Sequence, residues 1–183
     1  MSLVLDGSLG VTFPASNSPS FTNYQGGSIT SGTAVASTSG TSIDFTGIPS
    51  WVKRITVLFN GVSTNGSSNI IIQSGNGSVE TSGYLSTMAY AVGTSVGAGT
   101  FATTGFMAAL VSAATTSSGI ITLTSLGSNT WVHSSVIAQT NSANTAGIAG
   151  GNKTFSGVID RVRITTVNGT DTFDAGSINI LYE

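Results

Sequence analysis

Residues 93–97, Gly-Thr-Ser-Val-Gly, match G-x-S-x-G, the sharp strand-to-helix elbow that can present a serine nucleophile. That chemistry needs a helix after the serine and a histidine and an acid alongside. The next residues, Ala98-Gly-Thr-Phe101, carry no helical pattern, and a chain this rich in Ser and Gly produces such a match by composition. His133 is the single histidine, so no His-based metal cluster can form within one chain. It could meet copies of itself on a symmetry axis in a trimer and hold an ion there. Alternation places it beside Trp131 on a strand face, where a hydrogen-bonded structural imidazole is the expected role. Asp171 and Asp174 flank Phe173 after Asn168-Gly169, a spacing that could share a calcium ion or act as an acid–base pair. Short acidic side chains in turns also cap their own backbone, which is the expected role here. No catalytic, cofactor-binding or metal-ligating residue is assigned.

Binding chemistry is carried by other residues. Tyr84, Tyr90, Phe101 and Trp131 could form a saccharide-stacking platform on exposed loops, although most such rings in a small sandwich belong to the core. Asp160, Arg161 and Arg163 alternate on a predicted strand, which suits a cross-strand ion pair with Lys53 or Asp44. The N-x-S/T sequons at Asn65, Asn76, Asn152 and Asn168 are about what twelve Asn in this composition yield by chance, so they say nothing of secretion.

The elements that must position these residues are strands. Of the 183 residues 39% are hydrophobic, enough for a core, but only 7% are charged, and Gly contributes 24. The polar surface is therefore hydroxyl, amide and backbone, and the usual helix formers Glu, Lys, Gln and Arg are scarce. An all-β fold with many turns is expected. The net charge of −2, with Lys53, Arg54, Lys153, Arg161 and Arg163 in separate places, excludes a phosphate-tracking patch, so no nucleic-acid partner is expected. Cysteine is absent, which suits assembly in a reducing cytoplasm. The first residues lack the pattern of a signal peptide, and the longest apolar run, 105–111, is far too short to insert in a membrane.

In chain order, residues 3–14 read as two short strands around an Asp6-Gly7 turn. Residues 15–41 read as a Ser/Gly/Thr-rich arm with Phe21 and Tyr24 as isolated anchors. The body is expected from Ser42, with a strand at 42–45. A β-hairpin over 51–73 follows, reversed by Asn60-Gly61 and Asn65-Gly66. Further strands are expected around Val79 and over 84–90, 106–111, 120–126, 130–139, 155–167 and 177–182. Residues 93–104 and 141–153 read as long loops. Blocks of the 51–73 hairpin recur near the C-terminus, Arg54-Ile55 and Asn60-Gly61 being echoed by Arg163-Ile164 and Asn168-Gly169. The echo suggests two similar halves of one sandwich.

The opening LVLDGSLGVTFP resembles the N-terminal segment of bacteriophage tail-fibre and other virion structural proteins. GTSIDFTGIPSWVKRITVLFNGVSTNGSSNIIIQ together with NGTDTFDAGSINILYE is similar to a β-sandwich module of phage virion proteins, while residues 84–149 match nothing specific. The resemblance implies an all-β, antiparallel, jelly-roll-like sandwich over residues 42–183, with residues 1–41 as an extended N-terminal arm attaching to other virion proteins. It further implies a non-enzymatic homotrimer in the virion, assembled in the bacterial cytoplasm, without cofactors. A short tail fibre or fibre tip for host attachment is the first expectation, and a head-decoration or cement protein (or head fibre) the alternative. The resemblance carries over no functional residues; from the chain's own residues, Tyr84, Tyr90, Phe101, Asn141, Asn144 and Asn152 are the candidates to face a host surface glycan.

Overall fold

The computed structural model describes residues 4–6, 10–12, 29–97, 99–109, 111–113, 115–141 and 144–183. Two antiparallel sheets face each other across one main core, so the fold is the all-β sandwich that the composition requires. The smaller sheet contains β5 (Ser42–Thr46), β7 (Ile70–Gly75), β11 (Phe106–Ala109) and β15 (Arg161–Thr166), in the order β11-β7-β15-β5. The larger contains β3 (Thr30–Ser31), β6 (Arg54–Thr64), β8 (Leu85–Val92), β10 (Thr100–Ala102), β12 (Ser117–Gly127), β13 (Thr130–Gln139), β14 (Thr145–Thr154) and β16 (Phe173–Tyr182). Its order is β10-β8-β14-β13-β12-β6-β16-β3, with β4 (Val35–Ala36) beside β16 and β9 (Ser95–Val96) beside β8. Near the N-terminus β1 (Val4–Asp6) pairs with β2 (Gly10–Thr12); the expected turn at Gly7 and the arm anchors Phe21 and Tyr24 lie outside the described residues.

Period-two alternation builds the core. Ile55, Val57 and Phe59 of β6 and Ile121 and Leu123 of β12 point inward, to meet Ile43, Phe45, Ile70, Ile72, Val162 and Ile164 of the smaller sheet. A second cluster, Ile71, Met88, Ala102 and Met107, closes the side where β11 passes under β8. There the backbone N–H of Met107 donates to Ser86 Oγ at 2.9 Å, so this sheet edge is not left bare.

Several expectations are corrected. The stretch 51–73 is not a hairpin: β6 bonds β12 and β16, whereas β7 bonds β11 and β15 in the other sheet. Asn60-Gly61 lies inside β6, where Gly61 (φ 64°) and Gly176 (φ 91°) mark an irregularity in the pairing with β16. Only after Asn65-Gly66 does the chain cross to the facing sheet. A lone hairpin would leave its apolar face uncovered, whereas the crossing brings Ile70 and Ile72 into one core with Ile55 and Val57. The echo between 54–61 and 163–169 is not structural, because β6 and β15 lie in different sheets and Asn168-Gly169 makes a turn.

The edge of the body also lies before Ser42. Thr30–Ser31 and Val35–Ala36 pair with β16, and the buried Ser37 donates from its backbone to Gly176 O (2.9 Å) and from Oγ to Ala175 O (2.7 Å). Residues 141–153 are not a loop, since Thr145–Thr154 is hydrogen-bonded to β13 on one side and β8 on the other. Loop 93–104 carries the short β9 and β10. No strand forms at Val79, and of the expected strand 155–167 only Arg161–Thr166 is extended pairing.

Candidate functional site

The two outward faces of the sandwich differ in kind. On the larger sheet, β13 turns Trp131, His133, Ser135 and Ile137 inward and Val132, Ser134, Val136 and Ala138 outward. The registers of the neighbouring strands align these outward residues into rows. One row runs Leu58, Ile120, Val136, Ile148 and Ala89 across β6, β12, β13, β14 and β8, each directly opposite the next. Ile120 (52%), Val136 (64%) and Ile148 (63%) are largely exposed, too large and too contiguous for scattered surface residues. The next row carries Thr56, Thr122, Ser134, Gly150, Thr87 and Phe101, and the one beyond it Thr124, Val132, Asn152 and Leu85. No position on this face of β8, β12, β13 or β14 is charged; the nearest charge, Arg54 on β6, is paired with Glu183.

The smaller sheet presents the opposite chemistry. Arg163 stands directly across from Asp44, one of the two partners expected from the sequence, and grips its carboxylate with two nitrogens, at 2.7 and 2.8 Å. That hydrogen-bonded carboxylate holds the Arg163 guanidinium above its ordinary pKa. Arg161 pairs with Asp160 at 2.7 Å, and Gln73 donates to Thr104 O.

The six expected receptor-facing residues do not form one site. Tyr84 lies in the core, fully buried: its hydroxyl donates to Glu80 O (2.9 Å) and accepts from Ser74 N (2.9 Å), and burial pushes the phenol pKa up. Trp131 is likewise core, 4% exposed, because its register on β13 turns it inward. Phe101, 58% exposed, and Asn152 share the outward face of the larger sheet. Asn141 and Asn144 lie at the β13–β14 turn, where an open depression of about 640 Å³ is lined by Gly93, Thr94, Gln139, Asn144 and Thr145. Tyr90 is half-buried, its ring lying against Gly97.

Lys153 is 6% exposed and bonds Glu80 at 2.7 Å and Ser82 O at 2.8 Å, with its ammonium over the rings of Tyr84 and Phe155. Burial opposes ionisation of Glu80, but hydrogen bonds from Lys153 and Ser156 outweigh it and hold the carboxyl below its ordinary value. The pair staples loop 76–83 to β14.

Of the residues with apparent catalytic spacing, those of 93–97, Asp171 and His133 lie in turns and core, and Asp174 is exposed on β16. Residues 93–97 form a tight reversal onto β8, with Gly97 N–H donating to Tyr90 O at 2.7 Å, and no helix follows. Asp171 accepts from Asn168 Nδ2 (2.6 Å) and Ser68 N (2.9 Å), and the Asn168 bond leads in holding its pKa down. His133 is 4% exposed and stacks on Phe106; neither ring nitrogen has a hydrogen-bond partner, which corrects the expected hydrogen-bonded imidazole. Burial lowers its pKa to about 4. Among the described residues no three His, Asp or Glu side chains converge as metal ligands would.

The outward face of the larger sheet was not singled out from sequence. Its signal was present in the apolar outward members of 120–126 and 130–139, but Ile148 stood in a stretch read as loop. These features define an all-β sandwich with ion pairs across its smaller sheet and a stretch without charge over β8, β12, β13 and β14 of its larger one. Comparison of the chain with protein-family models, curated proteins and solved structures finds no match.

Proposed function

We propose that this chain is a non-enzymatic bacteriophage virion structural protein, a short tail fibre or fibre-tip module that assembles as a homotrimer. The observation that carries this reading is the outward face of β8, β12, β13 and β14, which carries no charge and exposes the row Ile120, Val136 and Ile148, a surface suited to permanent contact with protein. In this reading the segment ahead of β3 attaches to the particle and the sandwich is exposed. The sequence resemblance supports it, and so does the wiring. In this reading the orders β5-β15-β7-β11 and β6-(β12-β13-β14)-β8-β10 are those of a jelly roll with one strand expanded into a three-stranded meander and with β16 and β3 added beside β6. Host glycan would be met at the end bearing Asn141, Asn144 and Thr94, where hydroxyl and amide groups border the open depression. Binding there would rest on several weak copies acting together.

The test is immunogold electron microscopy of purified particles with antibody to this chain. Label confined to the tail end is the expected result. Label over the whole head would establish the cement reading instead, and particles free of the chain would remove both.

A further inference from the structure

We infer that the outward face of β6, β12, β13, β14 and β8 is covered by a second copy of this same chain, with Val136 at the centre of the contact. The inference rests on the virion reading for its setting and deepens it by naming the surface through which copies meet.

Charge and size select the occupant. Over β8, β12, β13 and β14 the face carries no charge, and Arg54 at its β6 edge is already paired with Glu183, so it offers no free anchor to an acidic or basic partner, and burying it against charged groups would strand them without counter-charges. The chain itself supplies an uncharged surface of the same dimensions. At ~4.8 Å between strands and ~3.3 Å per residue, the five strands present roughly 600–800 Å², close to the ~800 Å² that each partner contributes to a stable interface.

The composition of the face fits the same occupant. The apolar row of Ile120, Val136 and Ile148 is bordered on one side by Thr122, Ser134 and Thr87, whose hydroxyls can bond across or to water, and beyond them Val132 and Leu85 are again apolar and exposed. Val136 lies on β13, with β12 and β14 on either side, so copies that turn this face to a common axis bring Val136, Ile120 and Ile148 together first. The ion-paired face of the smaller sheet remains outside in that arrangement.

The experiment measures mass in solution by light scattering across micromolar concentrations. The full chain is expected at a multiple of its 18.3 kDa mass. Val136→Lys and Ile148→Lys, made singly, are expected to weaken association at least ~100-fold by burying an unpaired charge. Both should keep the far-ultraviolet circular dichroism and cooperative unfolding of the parent. Thr46→Lys, exposed on the other sheet, should leave the assembly intact. Because the chain has no cysteine, Val136→Cys should give disulfide-linked pairs under mild oxidation.

A monomeric parent overturns the inference, including one whose own N-terminal segment covers the face, as does an assembly unchanged in both lysine variants. A monomer that is nonetheless present in purified particles would sink this inference and leave the virion reading standing. An assembly broken by Val136→Lys, from a chain absent from particles, would do the reverse.

Discussion

The imidazole of His133 lies nearly flat on the phenyl ring of Phe106, centroids 5.0 Å apart and planes 13° from parallel, with both of its nitrogens unpaired inside the sandwich. A ring in that position stays folded only as the neutral form, because protonation would place a bare charge in the core.

Acid should therefore loosen this protein earlier than its carboxylates require. The folded pKa of about 4 lies below the unfolded value of 6.5, so the stability is fully present above 6.5 and is lost as pH falls towards 4. The loss across that window is roughly 3 kcal/mol. Glu80, Asp160 and Asp171 are all held below their ordinary values, so their contributions fade only beneath about pH 4–4.5. Thermal unfolding of the parent should fall steadily between pH 6.5 and 5, and His133→Phe should be flat over the same range. A variant with the parent's slope would place the titrating group elsewhere.

The Lys153–Glu80 pair sets up a second comparison. Glu80→Gln leaves an ammonium that is 6% exposed without its counter-charge and should destabilise by about 1–3 kcal/mol, the partly exposed carboxylate keeping the figure below that of a sealed pair. Glu80→Gln combined with Lys153→Met should recover much of that loss, since the end of the side chain already lies over the rings of Tyr84 and Phe155. Urea denaturation of the two singles and the double gives the coupling.

Two glycines at one irregularity should behave differently. A Cβ on Gly176 would stand 2.4 Å from Gly61 O and 2.6 Å from Asn60 O, both backbone atoms that cannot step aside. Gly176→Ala is expected to cost about 3 kcal/mol or more. Gly61 has nothing within 4 Å of its Cβ direction, so Gly61→Ala carries only the positive-φ penalty, about 1 kcal/mol, and Gly61→Asn less. Equal losses at the two sites would contradict the described contact.

Shortening residues 145–151 should abolish folding, because it removes the strand that joins β13 to β8 and leaves two edges unpaired. Insertion of a few Gly and Ser residues at the 141–144 turn should be tolerated. Soluble yield and cooperative unfolding read the difference.

Local periodicity, with the composition, was enough to specify much of this protein. The alternation of Trp131, His133, Ser135 and Ile137 against Val132, Ser134 and Val136 marked β13 and its two faces, because in a strand the direction of a side chain depends on nothing beyond its own parity. Scarcity of charge and of helix formers excluded other fold classes on the same footing, and a cross-strand ion pair of this group with Lys53 or Asp44 was legible from types, while the register of β15 on β5 chose Arg163 and Asp44. Tertiary structure decided what depends on distant partners. Asn60-Gly61 has the chemistry of a turn, yet the β6 ladder with β12 and β16 carries the strand through it. Residues 145–154 have three glycines and little apolar content, and become a strand only because β13 and β8 offer unpaired edges on either side. The glycine at 151 is part of the reason, since a Cβ there would meet Leu85 O at 2.3 Å. Tyr84 and Phe101 are both aromatic and both lie near turns; only the packing of the two sheets put one in the core and left the other on the surface.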